Sequence, residues 1–170
     1  AQIEAGVIVG ALGKYTLVII GSNCIQFFLV LPVFLLLRGL NPISVFRKMS
    51  PAIAVALFTK SSAGTLPVTL ASAETNLKAD PAVSRFVLPI CTTINMNGCA
   101  AFILVTSLFV MQNAGYSLDM PTMLTWLVVA VIAAIGNAGV PMGCFFLTLS
   151  LMCGIGAPIG LMGIVLPIYA

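Results

Sequence analysis

The sequence contains no histidine and little charge: seven Lys and Arg and four Asp and Glu in 170 residues. Without His, the commonest general base and metal ligand is missing. That excludes His-dependent hydrolysis and His-built metal centres. A soluble domain carries roughly 25% charged residues, whereas this chain carries 6%, too few to cover a globular surface in water. The net charge of +3 is spread over loops and makes no nucleic-acid footprint. The five cysteines, Cys24, Cys91, Cys99, Cys144 and Cys153, show neither CxxC nor zinc spacing. They read as small buried apolar residues.

What the chain has is apolar length. Hydrophobic residues make up 61% and the mean hydropathy is +1.19, so the bilayer is its solvent. The expected class is all-α integral membrane. Residues 1–13 read as a loop or the end of a preceding segment. Residues 14–38, from Lys14 to Arg38, hold an uninterrupted apolar run, long enough for a span of about 20 residues. The chain ends at Ala170 inside the apolar run of residues 159–170, which reads as the start of a truncated helix. The expectation is therefore a piece of a longer protein.

Three polar islands interrupt the remaining apolar sequence. The first is Lys60-Ser61-Ser62-Ala63-Gly64-Thr65-Leu66-Pro67, inside residues 43–79. The second is Thr92-Thr93-Ile94-Asn95-Met96-Asn97-Gly98, at mid-length of residues 82–112. The third is Ala134-Ile135-Gly136-Asn137-Ala138-Gly139-Val140-Pro141, inside residues 120–153. A broken helix at membrane depth frees N–H and C=O groups that only protein or a water-filled cavity can satisfy. Paired breaks of this kind point to a transporter binding site. The first and third islands sit between half-length apolar arms and predict two re-entrant helical hairpins; the second predicts an interrupted transmembrane helix. Arg38, Arg47, Lys48, Lys78 and Arg85 put excess positive charge on one side, against Glu4, Lys14 and Asp119 on the other. By the positive-inside rule the first side is cytoplasmic. The two hairpins then enter from opposite sides, as in an inverted repeat. Lys60 either snorkels to the interface or meets a substrate or a carboxylate.

In these residues the chain resembles the dicarboxylate/amino acid:cation symporters, the family of glutamate, aspartate and neutral amino acid transporters. Ser61 to Pro67 looks like the family's serine-rich first tip. Thr93-Ile94-Asn95-Met96-Asn97-Gly98 is similar to the NMDG-type motif of its seventh helix. Ile135 to Pro141 looks like its second tip. The three stand in family order over residues 14–170, from the sixth helix to the start of the eighth.

The resemblance implies roles at matching positions. Lys60, Ser61 and Ser62 would hold substrate from the first hairpin. The Val140 carbonyl and the Cys144 amide would hold it from the second, which acts as the gate, and Met96 would lie between substrate and cation. Carbonyls at Cys91, Thr93 and Asn95, and at Ala134, Ile135 and Asn137, would coordinate sodium. Asn97 stands where the family often has Asp, so an oxygen is supplied without its charge. Cys99 stands where acidic-substrate transporters often have Thr; a thiol is a poor donor, which favours a neutral amino acid. The implied function is secondary-active symport of a small amino acid or dicarboxylate, coupled to sodium or protons. It would take place in the cell membrane, in a homotrimer surrounded by lipid, with no organic cofactor and no nucleic acid. A passive channel built on re-entrant loops is the alternative, though no ring of repeated filter groups is visible. An intramembrane enzyme using Ser61 or Ser62 would lack a His partner.

Overall fold

A computed structural model describes residues 5–137, 139 and 141–169, and these are helical with short connections. α1 (Ala5–Ile25), a π turn (Gln26–Val30) and α2 (Leu31–Leu37) form one rod. The π turn lies just ahead of Pro32, whose missing N–H would interrupt an α-helical ladder. The rod includes residues 5–13, expected as a loop or the end of a preceding segment. That stretch holds neither Pro nor a capping side chain followed by a turn, so Lys14 decorates the helix instead of opening it. The rod ends where Gly39 takes φ +72° and Asn41 begins the next helix.

α3 (Pro42–Thr59), α4 (Ser62–Thr75), α5 (Pro81–Ile94), α6 (Asn97–Asn113), α7 (Met120–Gly136), α8 (Gly143–Gly154) and α9 (Gly160–Tyr169) follow. Local chemistry sets several of these starts. The Asn41 side chain accepts from the N–H groups of Ile43 and Ser44, and Asp80 from those of Ala82 and Val83. Pro42 and Pro81 then occupy first-turn positions where no N–H is needed. Inside α3, Pro51 cannot reach the Arg47 carbonyl four residues back. The Ser50 hydroxyl donates to that carbonyl at 2.9 Å, which answers the vacancy.

Residues 10–37 and 81–113 are long and apolar enough to cross a membrane. The second stretch is interrupted as expected: Asn95 (φ −87°, ψ 70°) and Met96 (φ −110°, ψ 49°) leave the helical region between α5 and α6. The first tip is shorter than its polar island. Only Lys60 and Ser61 separate α3 from α4, because the Ser61 hydroxyl caps the Gly64 N–H at 3.1 Å and helix resumes through Pro67.

α6 organises the packing. α1, α7 and α8 lie on it, while α3 packs on α4 and α4 on α5. Ile103, Val110, Met152, Met162 and Val165 are fully buried around it, with the hydroxyls of Thr106 and Thr148. Those hydroxyls are paired: Tyr15 with Thr106 at 2.8 Å, and Thr148 donating to the Cys144 carbonyl at 2.8 Å. The rod, in contrast, presents Leu17, Phe28 and Leu37 outward, a surface suited to lipid or further protein.

Candidate functional site

The three breaks meet at Gly139. Its carbonyl accepts from the Ser61 hydroxyl at 3.0 Å and from the Ala63 N–H at 3.5 Å. A Cβ on Gly139 would stand 2.9 Å from the Thr92 carbonyl oxygen, 3.3 Å from Met96 Cε and 3.4 Å from the Ala63 nitrogen. Its φ of +71° is also one that side-chain-bearing residues rarely adopt. First tip, second tip and helix break therefore share one contact point that only glycine fits. The surrounding turns have the same character. Lys60 (φ 49°) and Met142 (φ 58°) are left-handed, and Ser61 is extended, which aims its hydroxyl across to the other tip.

Beside this junction lies a group of sulfurs. Cys99 and Cys144 form a disulfide, with Cα atoms 5.6 Å apart. The Asn137 amide nitrogen donates to both sulfurs at 3.4 Å, and Met96 Sδ lies 3.9 Å from Cys99 Sγ. The expectation that all five cysteines are buried apolar residues is therefore corrected. Two are bonded to each other, Cys24 and Cys153 are exposed, and Cys91 is half-buried. Tertiary packing of α8 on α6 brings the pair together, which sequence spacing does not register.

Lys60, Cys99 and Cys144 line one cavity of about 670 Å³ together with Tyr15, Ile19 and Asn23. The last three were missed. Their i, i+4, i+8 spacing on α1 places them on one helix face, and the available signal was Tyr15 and Asn23, two polar-tipped residues on that face inside an apolar span. Asn23 Oδ1 stands 3.4 Å from where a Cβ on Gly98 would be. Ser62 lies elsewhere, with Cys91 and Thr92 on a groove of about 300 Å³.

The residues expected at cation sites contribute oxygens in varied states. The Cys91 carbonyl accepts one helical bond from the Asn95 N–H at 3.0 Å, and the Ala134 carbonyl one from the Asn137 N–H at 3.2 Å. A carbonyl so bonded keeps a second lone pair. The Thr93 hydroxyl donates back to the Ile90 carbonyl at 2.8 Å. Asn97 is exposed in the first turn of α6, and Ile135 is exposed near the end of α7. Asn137 is buried, and its Oδ1 has no hydrogen-bond partner among the described residues. Uncharged oxygens around unwound backbone suit a hard monovalent cation. Val140, expected as a substrate contact, lies outside the described residues.

The profile of the sodium:dicarboxylate symporter family matches residues 2–170. Excitatory amino acid transporter 2 of Mus musculus is 37% identical over 153 residues, 89% of this chain and 27% of the relative. Excitatory amino acid transporter 1 of Ambystoma tigrinum is 35% identical over 156 residues, 91% of this chain and 29% of the relative. The human transporter 1 is 34% identical over the same length, with the same coverage. The chain thus spans under a third of the length of these curated relatives.

Proposed function

The chain belongs to the sodium:dicarboxylate symporter family, and from that premise we propose that it is the substrate-handling part of a secondary-active symporter for small amino acids. It is a transporter component of the cell membrane and not an enzyme. The observation carrying this reading is the meeting of three helix breaks at Gly139. α3 with α4, and α7 with α8, act as re-entrant hairpins of opposite orientation around the interrupted helix α5–α6. Together they form an inverted repeat that moves as one body in alternating access.

Within it, Lys60, Ser61 and Ser62 present donors from the first hairpin, and Val140 and Cys144 present backbone from the second. Met96 separates these from the carbonyls of Cys91, Thr93 and Asn95 and of Ala134, Ile135 and Asn137. Bound sodium supplies the charge that offsets a substrate carboxylate and the gradient that drives uptake. Cys99, carrying sulfur in place of a hydroxyl, gives a side-chain carboxylate no donor, which favours a neutral substrate such as serine, threonine or alanine. The relatives are excitatory amino acid transporters by name, so aspartate is the competing substrate. In the full protein these parts sit in a homotrimer.

Counterflow of radiolabelled serine and aspartate in proteoliposomes of the full-length protein tests this. A carrier accumulates label against preloaded substrate; a channel does not, and that result sinks the proposal. The ion is read from the same vesicles under sodium or proton gradients. Asn97→Asp is expected to raise the apparent sodium affinity or steepen the sodium dependence, because a carboxylate adds Coulomb attraction to the cation. An unchanged sodium curve removes Asn97 from the coupling site.

A further inference from the structure

Cys99 is the third residue of α6 and Cys144 the second of α8. Their bond joins the segment that follows the helix break to the segment that follows the second tip. The covalent loop it closes, with a sequence separation of 45, contains most of α6, all of α7 and the second tip. Gly143, Cys144 and Phe145 of the first turn of α8 are buried, and α8 packs on α6. Met142 offers it no side-chain cap, and α7 and α8 make little contact with each other. Both residues line the 670 Å³ cavity, Cys99 half-buried and Cys144 buried. The Asn137 amide, donating to both, holds them side by side.

We propose that Cys99 and Cys144 are a thiol–disulfide exchange site that latches the second helix pair. The bonded state fastens α8 to α6 and the reduced state releases it. The co-reactant is a small external disulfide in one direction and a dithiol in the other. In oxidation, one cysteine thiolate attacks the external disulfide, forming a mixed disulfide and expelling one thiol. The second cysteine attacks the protein sulfur of that mixed disulfide and expels the other thiol. Two electrons and two protons pass from the cysteine pair to the external disulfide, and reduction by a dithiol reverses each step. The effect on uptake rests on the transport reading given above; the chemistry of the pair does not.

The experiment uses the full-length protein in proteoliposomes, with every other cysteine replaced by serine. Samples are equilibrated with oxidised glutathione or with dithiothreitol. Three quantities are read: the masses of peptides containing Cys99 and Cys144, hydrogen exchange of residues 143–154, and uptake of radiolabelled serine and aspartate. The oxidised sample should yield the two peptides joined, with two hydrogens fewer than their sum. It should exchange more slowly over residues 143–154 and take up substrate at least about tenfold more slowly, since release of a closing element limits turnover. Dithiothreitol should restore all three. Cys144→Ser and Cys99→Ser should each give the same exchange and uptake under both conditions, whatever their absolute level. Failure to join the peptides, or joined peptides with unchanged exchange, overturns the latch. Joined peptides with slowed exchange, but no uptake of either amino acid in the reduced sample, uphold the latch and count against the transport reading.

Discussion

The two helix pairs that meet at Gly139 are built differently. α3 and α4 pack along each other, and their ends are tied. Asn41 and Ser61 cap the two helices. The Thr59 and Thr65 hydroxyls pair across the tip at 3.0 Å, and the Asn76 amide donates to the Lys48 carbonyl at 2.9 Å. Glu74 receives a two-point ion pair from Arg85, at 2.8 and 3.0 Å, which binds the far end of α4 to α5. α7 and α8 are joined across their tip by the Asn137 amide, which donates to Cys144 Sγ at 3.4 Å, but neither start carries a side-chain cap bond. Both lie on α6, and a groove of about 480 Å³ runs between them. One pair is braced internally and the other borrows its stability from a neighbour. Opening the first pair breaks ties within it, whereas opening the second breaks its packing on α6.

The contrast is broken most severely at Gly139. Valine there must adopt a left-handed backbone, costing about 1–3 kcal/mol, and its Cβ meets the Thr92 carbonyl. Uptake by Gly139→Val should fall roughly tenfold or more, given that 1.4 kcal/mol is a factor of ten. Gly136→Ala, whose Cβ meets nothing within 4 Å, should stay near the parent rate. Equal effects of the two changes would dissolve the junction at Gly139.

A smaller effect is expected at the braced tip. Ser61→Ala removes the α4 cap and the bridge to Gly139, a loss of about 0.5–2 kcal/mol. Hydrogen exchange over the first turn of α4 should speed up accordingly. Ser62→Val should leave that exchange alone and raise the apparent substrate constant, by the worth of one hydrogen bond, about 0.5–1.5 kcal/mol. Unchanged uptake kinetics would remove Ser62 from the substrate contacts. Glu74→Gln should do least. The pair with Arg85 is open to solvent on the arginine side, so uptake should be preserved, and any drop in thermal stability should vanish at high salt. Collapse of uptake would make the brace part of the transport machinery.

These features were unequally legible. The helical class, the order of the three breaks and the interruption at Asn95 and Met96 followed from Gly, Pro and polar residues standing inside apolar runs, a local signal. The length of the first tip did not, because one hydroxyl cap at Ser61 lets helix resume through Pro67. The cysteine pair was invisible, since partners 45 residues apart are chosen by how α8 lies on α6. Tyr15 and Asn23 were hidden by reading their span through mean hydropathy instead of by face.

The π turn at residues 26–30 sets the rotational phase of the rod. One extra residue per turn amounts to about 100° of rotation about the helix axis. On one side of it α1 lays Tyr15 against Thr106 and Phe109 of α6; on the other, α2 rests on α3. The extra residue lets a single rod satisfy two partners whose docking faces are out of phase. Deleting one residue there would keep the span apolar and long enough, yet force it to choose between the braced pair and the core.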